Sequence, residues 1–314
     1  MLLGKNVAVI GGDDRYVQVI HYLAKQNATV FAVGFKGIDF DKENVYHVNM
    51  RSIDFSSLDG IVLPIGGTDE AGRIEIKYGV VDGSDHESEV GQIDEVQRNS
   101  DEVILTEEVL NETEPECVIY TGTAKPFLRD LAAKCERKLV VLFERDDIAI
   151  ANSVPTAEAA LQIAMEETKY TIHDSNVLVV GFGRIGVTIA RLFDHVGANV
   201  AVAARSQTDL ARIREMKLQA VHMKDLDAAV RACDICLNTV PVVVLTEEVL
   251  ENMNEDSLVI DLASKPGGTD FRAADRLGIQ AIHALGLPGK VAPKTAGTIL
   301  GEKMAELMVN AGED

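Results

Sequence analysis

Residues 177–206 read VLVVGFGRIGVTIARLFDHVGANVAVAARS. The apolar run Val177-Leu178-Val179-Val180 has the composition of a parallel strand buried on both faces. Gly181, Phe182, Gly183, Arg184, Ile185 and Gly186 follow at once and satisfy G-x-G-x-x-G. Ile185, Ile189, Leu192 and Phe193 then recur at helical spacing, and Val200-Ala201-Val202-Ala203 reads as a second strand. Strand, glycine turn, helix and strand within about thirty residues are the context in which this glycine pattern holds a dinucleotide. Gly181 permits the tight turn, Gly183 lets backbone approach a pyrophosphate, and Gly186 lets the helix pack closely on the strand. Free N–H groups at the helix start then face the phosphates. The alternative is a nucleotide-free α/β unit that uses glycine only for turning.

The end of the second strand discriminates between the two nicotinamide dinucleotides. An NAD site places Asp or Glu there to accept hydrogen bonds from the ribose hydroxyls. Here the residues are Ala204-Arg205-Ser206. A carboxylate would repel a 2′-phosphate, whereas Arg205 would pair with it and Ser206 would donate to it. The expectation is NADP(H), with NAD(H) as second choice, because an Arg205 that only stacks on adenine is compatible with either.

Working outward, the chain continues as strands and helices on both sides of this unit. On the C-terminal side, strands are read at 235–241, ending in Asn238-Thr239-Val240-Pro241, at 258–264, ending in Ala263-Ser264, and at 281–284. In open α/β sheets a ligand sits beyond the carboxyl ends of the strands. Asn238, Thr239, Val240, Pro241, Ala263, Ser264, Lys265 and the segment containing Leu287 and Pro288 are therefore expected to line the cofactor site. The glycines and prolines of 286–297 predict a rigid loop, with Thr295 capping a closing helix.

On the N-terminal side, VAVIGG at 7–12 is a strand ending in glycines. A helix follows with Val17, Ile20, His21, Leu23 and Ala24 inward, and then a strand at 30–33. Gly11-Gly12-Asp13-Asp14 lacks the spaced glycines and sets two acids at the helix start, which disfavours a phosphate. This half is read as having the fold without the dinucleotide. Further strands are read at 60–64, 117–120 and 139–143, with a helix over 127–134. The stretch 82–116 is dominated by acids and reads as a solvated surface excursion. LTEEVL occurs twice, at 105–110 and 245–250, each time ahead of a strand, which supports two domains of similar topology. Between the halves, Asn152-Ser153-Val154-Pro155 is expected to open a long helix, with Asn152 or Ser153 as cap and Pro155 early in it.

The expected fold is α/β, with two Rossmann-like doubly wound domains joined by that helix. Residues 1–150 form a flavodoxin-like substrate domain completed by the helix at 295–314, and residues 151–294 form the NADP-binding domain. The 314 residues suit two domains, with 46% hydrophobic and 25% charged residues. A net charge of −20 argues against nucleic acid or an anionic membrane as partner. No apolar run approaches the length of a membrane span, and the N-terminus lacks a signal-peptide layout, so a cytoplasmic location is expected. Cys233-Asp234-Ile235-Cys236 is formally C-x-x-C, but it runs into a strand and has no partner pair; structural thiols and no metal site are expected.

Four segments carry a resemblance to a known family. They are GGDxR at 11–15, LFERDDIAIxNS at 142–153, DLASxPGGTDF at 261–271 and GLPGxVAPxTAG at 286–297. The architecture resembles the formate/glycerate and alanine dehydrogenase group, and 286–292 is similar to the alanine dehydrogenase cofactor loop. Taken together, the four segments resemble the A-type subunits of dipicolinate synthase over nearly the whole chain, thinning out at 82–116. The resemblance implies oxidation of dihydrodipicolinate, a small dicarboxylate, to dipicolinate with NADP⁺. It also implies the flavoprotein-like B-type subunit of dipicolinate synthase as partner, and expression in the mother cell of a sporulating bacterium. A homo-oligomer is left open.

Such chemistry needs cations for two carboxylates and a proton acceptor. Arg145 and Lys294 are the favoured cations, with Arg15 and Lys265 behind them. An ion pair of Arg145 with Asp146 or Asp147, and a surface role for each lysine, are the alternatives. Glu144, Asp147 and His283 are the candidate acceptors; His283 has the better pKa for the work but alternates with apolar residues and reads more readily as a packed strand histidine. Two other functions compete: another NADP(H)-dependent amino or hydroxy acid dehydrogenase, and a non-catalytic NADP(H)-binding component of a flavoprotein complex.

Overall fold

The computed structural model describes residues 1–80 and 102–310. Most of the acidic stretch read at 82–116 lies outside them. The chain divides into two compact units, one comprising Met1–Ile148 with Pro293–Asp314 and the other Ala149–Ala292.

The first unit contains β1 (Asn6–Ile10), α1 (Asp14–Lys25), β2 (Thr29–Val33), β3 (Val45–His47), β4 (Gly60–Val62), α2 (Glu107–Glu112), β5 (Val118–Thr121), α3 (Pro126–Lys134) and β6 (Lys138–Val141). Its strands form one parallel sheet in the order β3-β2-β1-β4-β5-β6. The apolar runs work as strands because alternate residues feed cores on opposite faces. Val7 and Val9 enter one core, Ala8 and Ile10 the other. In α1 the buried residues are Arg15, Tyr16, Val19, Ile20, Leu23 and Ala24. Val17 and His21 are only half-buried, so the helix is rotated from its expected setting by the demand of Tyr16 for the core. The last expected strand stops at Val141, and Leu142–Glu144 turn as a 3₁₀ helix.

α4 (Asp146–Glu167) carries the chain from the first unit into the second. It starts well before the expected cap. Asp146 and Asp147 occupy its first turn, where acids suit the helix dipole. Ser153 lies inside the helix instead of capping it; its Oγ donates to Ile150 O at 2.7 Å and sits 2.6 Å from Thr188 Oγ1. Pro155 is likewise interior, where it has no N–H to give the preceding turn.

The second unit contains β7 (Asn176–Val180), α5 (Arg184–His195), β8 (Asn199–Ala204), α6 (Gln207–Glu215), β9 (Gln219–His222), α7 (Leu226–Ala229), β10 (Ile235–Asn238), α8 (Glu247–Leu250), β11 (Leu258–Asp261), α9 (Phe271–Leu277), β12 (Gln280–His283) and α10 (Leu287–Val291). The sheet order is β12-β11-β10-β7-β8-β9, again parallel throughout. Relative to chain order this is the arrangement of the first unit, the doubly wound order of dinucleotide-binding folds. Val177 and Val179 enter one core, Leu178 and Val180 the other. The two LTEEVL copies both start helices. Thr106 caps α2, its Oγ1 accepting from Val109 N at 3.4 Å, whereas Thr246 makes no side-chain cap to α8.

The segment expected as a rigid loop contains α10, and the closing helix α11 (Pro293–Asn310) begins before Thr295, which sits in its first turn. α11 packs on α1 through small residues. A Cβ on Gly297 would run into Arg15 O, and one on Gly301 would lie 2.8 Å from Tyr22 Cβ. All four cysteines are buried and free. Burial pushes the Cys117 thiol up to about 12, while the Cys233 sulfur, with burial, raises that of Cys236 well above its ordinary value. Among the described residues no helix is long and apolar enough to cross a membrane, and no group of His, Cys, Asp and Glu is placed to hold a metal ion.

Candidate cofactor site

β7 and β10 are neighbours at the point where the strand order reverses, and in doubly wound sheets a ligand binds beyond the carboxyl ends of the strands at such a point. Gly181 follows β7 with φ +101°, a backbone state that favours glycine, and its N–H donates to Ala203 O at 2.9 Å. A Cβ there would run into Thr239 Oγ1. A Cβ on Gly186 would run into Gly181 O, so α5 approaches the turn only because Gly186 has none. Gly183 differs: a Cβ there would meet nothing within 4 Å. It is the N-cap of α5 and gives no side-chain acceptor to the free N–H groups of the first turn. An uncapped helix start beneath an open glycine fits a pyrophosphate. Phe182 and Ile185 are half-buried against the core, and Arg184 is exposed in the first turn.

The expected lining residues divide into two sets. Arg205, Ser206, Pro241, Ser264 and Lys265 are exposed; Thr239 and Val240 are half-buried. Ser206 caps α6, its Oγ accepting from Asp209 N at 3.0 Å. Thr239 Oγ1 donates to Val180 O at 2.9 Å and packs over Gly181. Asn238, Ala263, Leu287 and Pro288 are buried. The Asn238 amide is spent inside the protein: Nδ2 donates to Asp261 Oδ1 at 3.0 Å and to Val240 O at 3.1 Å, and Oδ1 accepts from Val240 N at 3.1 Å. The side chain thereby holds the turn after β10.

Asp261 is absent from the residues expected on sequence grounds, although a lone acid within the apolar run LVIDLA is a signal. It is fully buried. Besides Asn238, its carboxylate accepts from Ala263 N at 3.0 Å, Gly268 N at 2.8 Å and Thr269 Oγ1 at 2.7 Å. One carboxylate thus fixes the strand ends of β10 and β11 and the 263–269 loop. His283 is tied to the same loop. Its Nε2 donates to Ala263 O at 3.0 Å, and its ring stacks on Phe271 with centroids 5.2 Å apart. Because a carbonyl only accepts, the proton is on Nε2 and the free lone pair is on Nδ1.

The other catalytic candidates belong to the first unit. Arg145 pairs with Asp147 in a fork, Nε to Oδ1 and Nη2 to Oδ2, each 3.1 Å, and this holds the Asp147 carboxyl below its ordinary value. Glu144 is ion-paired with Arg129. Lys294 is exposed in the first turn of α11. The Arg15 side chain is buried and donates to Asp13 with Nε at 2.9 Å and Nη2 at 2.6 Å.

Two known domain families match the chain. Residues 6–84 match the N-terminal domain of the dipicolinate synthase A-type subunit, and residues 148–264 match the NAD-binding domain of D-isomer specific 2-hydroxyacid dehydrogenases. The chain is 43% identical over 308 residues to the A-type dipicolinate synthase subunit of Bacillus subtilis (strain 168), covering 98% of this chain and 97% of the relative. The crystal structure of the corresponding dipicolinate synthase subunit from Bacillus halodurans superposes with a TM-score of 0.89 at 42% identity, covering 98% of this chain and 99% of the other. An L-alanine dehydrogenase shares the fold, with a TM-score of 0.57 at 12% identity over 98% of this chain and 90% of the other. The second unit is thus a nicotinamide dinucleotide-binding dehydrogenase domain, and the chain belongs to the A-type dipicolinate synthase subunits, a family of NAD(P)-dependent oxidoreductases.

Proposed function

We propose that this chain oxidises dihydrodipicolinate to dipicolinate with NADP⁺ as acceptor. The observation that carries the reading is identity with a named dipicolinate synthase subunit over nearly the full length of both chains. The substrate ring loses one hydride and one proton and becomes aromatic, so the enzyme's main tasks are orientation and charge pairing. When bound, the oxidised nicotinamide supplies the hydride acceptor. The open Gly183 and the uncapped first turn of α5 hold the pyrophosphate. Arg205, exposed at the end of β8 where an NAD site carries an acid, pairs with the 2′-phosphate and selects NADP(H).

For the substrate, Arg145 and Lys294 supply the cations that two carboxylates require. Lys294 is in no ion pair among the described residues, whereas Arg145 exchanges Asp147 for the ligand. His283 Nδ1 receives the ring proton; Glu144, held by Arg129, is the alternative acceptor. The partner is the B-type subunit of dipicolinate synthase, a flavoprotein-like chain, and the setting is the mother cell of a sporulating bacterium.

One observation favours a second reading: Arg145 and Glu144 are both already ion-paired, as in a chain that binds NADP(H) without catalysing. Turnover of freshly generated dihydrodipicolinate with NADP⁺, with and without the partner chain, decides between them. Stoichiometric NADPH and dipicolinate from this chain alone support the proposal. Product only in the presence of the partner favours the non-catalytic reading. Tight NADPH binding with no product in either case points to a different amino or hydroxy acid substrate.

A further inference from the structure

Resting on the NADP(H) reading, we propose that Lys224 and His222, at the carboxyl end of β9, complete with Arg205 a subsite for the 2′-phosphate of the cofactor. The strand pairing supplies the placement. β8 and β9 are parallel neighbours whose register ends at Ala204 opposite His222. Arg205 follows the first of these residues and Lys224 lies two beyond the second, so both emerge at the same edge of the sheet. Parallel neighbours lie about 4.8 Å apart, within reach of one phosphate for side chains of this length.

The local turn sets the chemistry of His222. Its Nδ1 accepts from Lys224 N at 3.1 Å, which caps the 3₁₀ turn Met223–Asp225. The ring proton therefore sits on Nε2, leaving an N–H donor that makes no other bond among the described residues. Arg205 and Lys224 are both exposed, and neither is ion-paired among the described residues. The acids on the same two segments, Asp209 and Asp225, are in no ion pair with either cation. Ser206 Oγ, although it accepts from Asp209 N, keeps its own proton to donate.

A phosphomonoester carries nearly two negative charges at neutral pH and accepts through three oxygens. One arginine fork satisfies two of these; a point charge and a neutral N–H donor complete the set. In a chain of net charge −20, Arg205 and Lys224 with the neutral donors of Ser206 and His222 offer a doubly charged phosphate a local site, against the nearby charges of Asp209 and Asp225. A ribose with a free 2′-hydroxyl gains little from this arrangement, so the subsite acts on specificity.

The test is fluorescence titration of the full chain with NADPH and NADH, using wild type, Arg205→Ala, Lys224→Ala and His222→Asn. Asparagine keeps the acceptor that caps Lys224 N and deletes the Nε2 donor. The expected result is a rise of about tenfold in the Kd for NADPH with Lys224→Ala, and about threefold with His222→Asn, at unchanged NADH affinity. Retained NADH binding shows that each variant is folded. Wild-type NADPH-to-NADH preference in both variants, with the preference lost in Arg205→Ala, would overturn the subsite while leaving the NADP(H) reading intact. Equal weakening of both cofactors by Lys224→Ala would also overturn it. A wild type that binds NADH as tightly as NADPH would overturn the cofactor reading itself.

Discussion

The two units share one sheet order but differ in the turn after the first strand. Gly11-Gly12-Asp13-Asp14-Arg15-Tyr16 stands in one where Gly181-Phe182-Gly183-Arg184-Ile185-Gly186 stands in the other. Both turns start alike: Gly11 N donates to Val33 O at 2.8 Å, as Gly181 N does to Ala203 O at 2.9 Å. They then diverge. Asp13 replaces Gly183, and its carboxylate caps α1 by accepting from Arg15 N, so the helix start is already satisfied by an anion of the chain itself. Tyr16 replaces Gly186 and is fully buried. The space beyond β1 and β2 is taken by the chain. Gly12 N donates to Glu75 O at 3.2 Å, and the Ile76 side chain lies against Gly11 and Gly34. The two units thus share a strand order, and the open glycine and the uncapped helix start are what set the second apart.

Exchanging the sixth position of the turn is the most severe way to probe this difference. Tyr16→Ala removes a fully buried aromatic ring and is expected to destabilise the first unit by about 4 kcal/mol without creating a second cofactor site. Denaturant unfolding with an NADPH stoichiometry measurement checks both parts. A gain of a second equivalent of cofactor would mean that Tyr16, and not Asp13 and the 74–76 segment, is the obstacle.

Asp261→Asn tests what holds the second unit's crevice in shape. The amide would turn an NH₂ toward donors that now meet a carboxylate, at a cost of about 3 kcal/mol. Thermal unfolding is expected at a lower Tm, with a weaker grip on NADPH from the loosened 263–269 loop. An unchanged Tm would show that the hydrogen-bonded carboxylate is not the anchor of these strand ends.

The smallest effect belongs to the first unit's surface, where Asp14 takes hydrogen bonds from Lys77 and Tyr78. The Lys77 bond leads in holding the Asp14 carboxyl below its ordinary value. Partial burial, aided by Asp14, pushes the Tyr78 phenol up to about 12. A depressed carboxyl stabilises the fold above the unfolded value of roughly 3.9 and loses that contribution as pH falls further. A raised phenol stabilises below roughly 10 and loses its contribution as pH rises toward 12. Stability from this cluster is expected to be flat across neutral pH and to fall at both extremes. Asp14→Asn should flatten the acid limb and weaken the alkaline one, as unfolding across pH would reveal.

Long apolar strands and the glycine turn are legible in the sequence because each is decided locally, by a run of Val, Ile and Leu or by φ at one residue. The short edge strands β3 and β9 are not, since three or four half-exposed residues carry no clear period. The start of α4 is misplaced by sequence reasoning because Asn152-Ser153 and Pro155 are good helix-start residues; packing of Ile148 in the first unit's core extends the helix past them. At the site, the structural roles of Gly181 in the turn and Gly186 in the close approach of α5 follow from spacing. The inward turn of Asn238 and the hub at Asp261 do not, because both depend on pairing between strands distant in the chain.

The most direct test of the pyrophosphate assignment is calorimetric titration of Gly183→Val with NADPH. Its φ of −88° and the open space around it let the variant fold as wild type, while the added side chain occupies the place assigned to the pyrophosphate. An unchanged Tm and a loss of NADPH affinity of at least about a hundredfold are expected. A variant that folds and still binds one NADPH per chain at wild-type affinity would contradict the assignment.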